Sequence, residues 1–169
     1  GNPAAGIRHA LEAFRQGRHI VMVNVEADVL AGPLLAKKAR EAGLVYSLAY
    51  GDQPALIAEQ VDWARAIGLE VVAAGKGTRY QPRFHQSTPA TVWDHYGISA
   101  ADAQSGRLNP QMFNSFLDGT KSGIEMAAVA NACGLNAPRD GLMFPAVGFN
   151  QFAHKLIPRE DGGLLEGRG

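Results

Sequence analysis

The sequence predicts an α/β fold: a parallel, doubly wound sheet followed by a mainly helical region. Helical patterns alternate with short apolar runs through the first 74 residues. Those runs are rich in β-branched residues, and a glycine closes each helical pattern. Alternation of this kind with short joints is how βαβ units read in sequence, and strands buried on both faces appear as continuous apolar runs rather than alternating ones. Pro3, Ile7, Ala10, Leu11 and Phe14 give a helix over roughly 4–16, with proline at its start and Gly17 past its end. His19 to Val25 reads as a buried strand. Residues 29–42 form a second amphipathic helix through Leu30, Leu34, Leu35 and Ala39, closed by Gly43, and Leu44 to Ala49 make the next strand. Pro54 opens a third helix through Ile57, Val61, Trp63 and Ala64, Gly68 closes it, and Leu69 to Ala74 make a third strand.

The pattern changes after Ala74. Residues 75–90 form a polar loop with two glycines and two prolines, and loops of that length inside compact domains tend to carry function. Pro89 opens a short helix through Val92, Trp93 and Tyr96. A long helix is predicted from Asn109-Pro110 to Asn131, ended by Gly134. The division places the second half of a doubly wound domain at 1–78 and a separate region at 79–169.

Composition narrows the function. The 169 residues carry 16 Lys+Arg against 16 Asp+Glu, which removes the basic footprint of a nucleic-acid binder. With 46% hydrophobic and 19% charged residues the chain has the material for a packed core. Apolar runs such as Ile20 to Val23 are far below the ~18–20 residues a membrane span requires. One cysteine, Cys133, fits a reducing compartment, so a cytoplasmic location is expected. Gly1-Asn2-Pro3 is neither an initiator nor a signal peptide, and the Gly-rich tail closes no element, so segments are expected beyond both ends.

In a doubly wound sheet, ligands sit at the carboxyl ends of the strands. Asn24, Glu26, Gly51, Asp52, Gln53, Gly75, Lys76, Gly77 and Thr78 fall there. Asparagine there is often a turn or cap residue, and glycines often serve backbone geometry alone. A lysine between two glycines has unusual freedom of approach to a crevice. Lys121 and Glu125 are i,i+4 neighbours on the predicted long helix, among Phe113, Phe116, Ile124, Met126 and Ala127. This is either an ordinary surface pair or a proton donor held beside an acceptor. His85 and His95 fit no metal spacing, and no metal site is expected. No Gly-x-Gly-x-x-Gly, Walker A or Gly-x-Ser-x-Gly motif occurs, so a dinucleotide site would take its phosphate loop from residues upstream of Gly1.

Several motifs in one order carry a resemblance. Asn2-Pro3 before a helix, then Gly-Arg-His-Ile-Val-Met-Val-Asn at 17–24, resembles the stretch of homoserine dehydrogenases where a helix leads to a strand ending in Thr-Ala-Asn-Lys. Ala49 to Pro54 resembles that family's Val-Ala-Gly-Gly-Ile-Pro turn, and Gly75 to Tyr80 its Leu-Asn-Gly-Thr-Thr-Asn-Tyr. Asp118-Gly119-Thr120-Lys121 stands where the family has its Gly-x-Asp-x-x-x-Lys helix. The runs 23–28, 49–54, 73–78 and 114–121 are closer still to a divergent bacterial branch with a C-terminal SAF domain, which includes 1-deoxyxylulose-5-phosphate reductoisomerase-like enzymes. Two features depart. Val25 stands where the ordinary dehydrogenase has lysine, and Lys121 then Glu125 reverse its Asp-then-Lys order.

The resemblance implies the C-terminal half of an NAD(P)-binding Rossmann domain, then part of a catalytic and dimerisation region. It implies NAD(P)-dependent hydride transfer to or from a small polar hydroxy/oxo substrate in a homo-oligomer. Lys76, Lys121 and Glu125 are then expected to converge as the catalytic groups. Asn2, Asn24, Glu26, Gly51 and Gly75 line the cofactor, and Asp52, Gln53, Thr78 and Asp118 meet the substrate. The alternative is a non-catalytic sensor or assembly module that keeps the fold.

Overall fold

The computed structural model describes residues 2–168. It divides into two compact units: the residues up to Lys76 together with those from Ile124 onward, and Gly77–Gly123.

The first unit begins with α1 (Pro3–Arg15), β1 (Ile20–Met22), α2 (Val25–Glu41), β2 (Tyr46–Leu48) and α3 (Gln53–Ala66). β1 and β2 pair in parallel, Ile20 opposite Tyr46 and Met22 opposite Leu48. The βαβ crossover requires parallel pairing, because α2 returns the chain to the end from which β1 started. Ile20, Met22 and Tyr46 turn to the face covered by α1 and α2, where Ala10, Ala27 and Leu35 are buried with them. Val21, Val23 and Val45 alternate to the other face, which is open. Gly6 lets α1 and α2 cross closely: a Cβ there would stand 2.8 Å from Ala27 Cβ and 2.8 Å from Asn24 Nδ2. Gly17, Gly43 and Gly68 follow α1, α2 and α3 with φ of +68°, +69° and +85°, the left-handed turn that ends a helix.

Asn24 accepts from Ala27 N, so α2 begins at Val25 rather than at the predicted 29. Pro33 lies inside α2 and has no N–H for the carbonyl of Val29 four residues back. Asn131 Nδ2 donates to that carbonyl instead, at 3.1 Å.

The predicted third strand is not formed. Residues 69–74 pair with no strand among the described residues. Val71 and Ala74 pack instead against Val61 of α3 and against Val129 and Cys133 of α7 (Thr120–Cys133). The apolar run therefore finds a helical partner, and the sheet stays two-stranded. Arg65 Nη1 donates to Cys133 O at 2.7 Å, tying the last turns of α3 and α7 and placing a cation at the negative end of a helix. Beyond α7 the chain is irregular apart from α8 (Phe152–Lys155) and two 3-10 turns, Phe149–Gln151 and Arg159–Asp161.

The second unit holds a 3-10 turn (Pro82–Gln86), α4 (Val92–Tyr96), α5 (Ala100–Ser105), α6 (Pro110–Leu117) and the first turn of α7. Asn109 caps α6 through the amides of Gln111 and Met112. The predicted single helix from 109 to 131 is two helices, because Asp118 closes α6 and Gly119 takes φ +88°. Phe113 is the aromatic centre of the unit, with ring centroids 5.2 Å from Trp93, 5.4 Å from Tyr96 and 6.0 Å from Phe116.

Candidate active site

Lys76 and Glu125 meet. The segment that leaves α3 runs past Val71 and Ala74 along α7 and delivers Lys76 Nζ to Glu125 Oε2. Glu125 is 3% exposed and Lys76 24% exposed, so the carboxylate is buried and the ammonium reaches outward. A carboxylate so far from water needs a cation and hydrogen bonds to stay charged, and a partly exposed ammonium facing it keeps one side toward solvent. Gly75 passes close to α7: a Cβ on it would stand 3.2 Å from Met126 Sδ. The glycine before Lys76 therefore lets the backbone lie against the helix that supplies Glu125. Two turns on, Cys133 is buried in the same cluster, and burial pushes its thiol up.

Lys121 precedes Glu125 by four residues on α7, is half-buried and is engaged by a neighbour. The second unit contains a polar chain that leads to it. Ser87 Oγ donates to Asn114 Oδ1 at 2.8 Å, and Asn114 Nδ2 donates to Asp118 Oδ2 at 2.9 Å. Asp118 Oδ1 accepts from Thr120 N at 2.8 Å, on the residue before Lys121. Ser87 and Asn114 are both buried. This chain is a feature that sequence reasoning missed: Asn114 and Asp118 are an i,i+4 pair legible in the sequence, but Ser87 is 27 residues from Asn114.

The other predicted residues have local roles. Asn2 caps α1 by accepting from Ala5 N at 3.1 Å, and its carbonyl accepts from Asn24 Nδ2 at 2.9 Å. Asn24 caps α2, and Glu26 stands in the first turn of that helix. Gly51 follows β2 with φ +101°. Asp52 caps α3 through Gln53 N at 3.0 Å, and Gln53 is exposed at the start of that helix. Asn24 and Gly51 thus follow two parallel strands at one end of the sheet, whereas Gly75 follows no strand and lies against α7. Thr78 is exposed in the second unit. Among the described residues no group of three or more His, Cys, Asp or Glu side chains could hold a metal ion, and no helix is long and apolar enough to cross a membrane.

A pair made of a buried carboxylate and a reachable ammonium can hold a proton donor in place beside a carbonyl or hydroxyl oxygen. The family model of the catalytic domain of oxidoreductase DRL matches residues 51–169, which include Lys76, Lys121 and Glu125. The chain belongs to this family. The ion pair therefore lies inside an oxidoreductase catalytic domain, as does the polar chain from Ser87 to Thr120. No curated protein matches the chain significantly.

Proposed function

We propose that the chain is part of an NAD(P)-dependent oxidoreductase of the homoserine dehydrogenase-like branch, acting on the CH–OH or C=O group of a small polar substrate. The observation that carries this reading is the Lys76–Glu125 pair within an oxidoreductase catalytic domain. The nicotinamide, when bound, supplies or takes the hydride. Lys76 presents a cation where an alkoxide develops and donates or recovers the proton at that oxygen. Glu125 holds Lys76 in place. Lys121 is the second cation, one helical turn away in sequence, suited to a substrate oxygen or phosphate.

The residues at the strand ends fit one part of a dinucleotide and not another. Glu26 and Asp28 stand in the first turn of α2 and Asp52 caps α3, which is the wrong charge for a pyrophosphate at a helix N-terminus. Carboxylate and amide side chains suit ribose hydroxyls and a carboxamide. The pyrophosphate is assigned to a Gly-rich turn outside these 169 residues, which contain no Gly-x-Gly-x-x-Gly. In this reading residues 1–78 complete the dinucleotide domain, 79–169 belong to the catalytic and dimerisation region, and the enzyme acts in the cytoplasm.

The test is turnover by the full-length protein, following NADPH and NADH oxidation with a panel of hydroxy and oxo acids and phosphorylated hydroxyketones. Lys76→Met or Lys121→Met is expected to lower kcat/KM by about 10²–10³ for at least one of the two, the range for removing one preorganised donor. Near-native turnover in both variants would overturn the site. A panel with no turnover and no NADPH binding by calorimetry would favour the sensor module.

A further inference from the structure

We propose that Ser87, Asn114 and Asp118 form a positioning relay that fixes the elbow between α6 and α7 and so sets where Lys121 stands. The inference rests on the reading that Lys121 is a working cation. It gives Asp118, expected from the resemblance to meet substrate, a structural role instead, because both of its oxygens are engaged by the protein, Oδ2 by Asn114 and Oδ1 by Thr120 N.

The elbow needs such a device. α6 ends at Asp118, Gly119 turns the chain through φ +88°, and α7 starts at once at Thr120. With only the capping Asp118 and a glycine between the two helices, whatever holds Asp118 and Thr120 steers the first turn of α7. One carboxylate holds both, accepting from the α6 side and from the α7 side. Asn114 in turn cannot rotate freely, because its Oδ1 accepts from Ser87 while its Nδ2 donates to Asp118. Asn114 is 6% exposed, so loss of either bond leaves a buried polar group without its partner. Ser87 closes the 3-10 turn of the polar loop, its N–H bonded to Phe84 O, so the same relay anchors that loop to α6. Each group has one orientation that satisfies all its bonds, which is what makes a polar network specify geometry.

The direction of the central bond supplies the experiment. Asn114 donates and Asp118 accepts. Asp118→Asn keeps an oxygen for Thr120 N, and Asn114 meets the new amide by flipping, its Oδ1 accepting from residue 118 while its Nδ2 donates to Ser87 Oγ, so this exchange is the mild one. Asn114→Asp sets two carboxylates face to face. The double exchange Asn114→Asp with Asp118→Asn rebuilds the bond with its polarity reversed, leaving oxygens for Ser87 Oγ and Thr120 N. The full-length protein is used, with two readouts. The first is hydrogen exchange at the amide of Thr120, which needs no substrate. The second is kcat and KM with NADPH and whichever substrate of the panel turns over.

Asn114→Asp is expected to speed amide exchange at Thr120 by tenfold or more and to lower kcat by about tenfold with KM for NADPH unchanged, Asp118→Asn is expected to change either less than threefold, and the double exchange is expected to restore both. Lowering pH is expected to rescue Asn114→Asp alone, because one proton shared between the two carboxylates re-forms the bond. Unchanged exchange in Asn114→Asp, or a double variant no better than Asn114→Asp, would overturn the relay and leave the Lys76–Glu125 reading standing. Faster exchange with unchanged kcat would overturn the link to Lys121. If Lys121→Met alone also leaves kcat unchanged, the failure belongs to the reading of Lys121 as a working cation.

Discussion

Asp28 is buried between α2 and β2, where Tyr46 Oη donates to its Oδ1 at 2.7 Å. Burial pushes its carboxyl up, the hydrogen bond from Tyr46 opposes the shift in part, and the tyrosine is pushed up by its own burial and by the acid. A carboxyl raised in the folded state contributes stability that is fully present below its ordinary range near pH ~4 and is lost as pH rises through its folded value. Asp28→Asn keeps an oxygen for Tyr46 and cannot ionise. Its Tm relative to the native protein is therefore expected to improve between pH 4 and pH 7. A Tm difference that stays constant across that range would refute the assignment.

At the scale of elements, α1 crosses α2 closely at Gly6. Gly6→Val is expected to cost about 1–3 kcal/mol, the range for overpacking, because the side chains at 2.8 Å sit on a neighbouring helix and cap. Chemical denaturation measures it, and a loss under ~0.5 kcal/mol, the size of an ordinary surface substitution, would show that the helices part easily. Helix starts were legible in the sequence wherever Asn or Asp stands one or two residues before proline, as at Asn2, Asp52 and Asn109, because the cap and the fixed proline φ are local chemistry. Residues 69–74 were not, since a strand exists only with a partner and Val71 had helices closer to hand. The joint at Asp118-Gly119 was legible in principle, as an Asp-Gly step inside a helical pattern, but the apolar residues on both sides kept the helical period and masked it. The meeting of Lys76 with Glu125, 49 residues apart, was an expectation from strand-end placement and the resemblance. Their contact came by another route, with Lys76 leaving an unpaired segment rather than a strand. Lys121 and Ser87 mark the limit of spacing arguments, because only the fold brings Ser87 to Asn114.

For the whole molecule, the open face of the sheet sets what surface change is tolerated. Parallel sheets are ordinarily covered on both faces, and here α1 and α2 cover one while Val21 and Val23 stand 63% and 74% exposed on the other. Val21→Lys and Val23→Lys are each expected to change stability by less than ~0.5 kcal/mol, as surface substitutions do. Met22→Ala, one residue away and buried in the α1–α2 core, is expected to cost about 2–5 kcal/mol. Equal costs at the three positions, by urea denaturation, would overturn the assignment of faces. The oxidoreductase family match covers the second unit and the first unit from residue 51 onward, so a variant in either of these parts is expected to be read out in the same turnover assay.

The bond from Arg65 to the carbonyl of Cys133 gives the molecule a reporter of its own breathing. The chain has one sulfhydryl; it is buried in the seam of α3 and α7, and its ionisation is disfavoured by that burial. A thiol-specific dye can react with Cys133 only when the seam parts, so for these 169 residues its rate measures how often that happens without background from another cysteine. Arg65→Met, which removes the tie while leaving the apolar stem, is expected to raise the labelling rate severalfold in native buffer and to leave the rate in strong denaturant unchanged. Equal native rates in the two proteins would mean that the seam opens without regard to that bond.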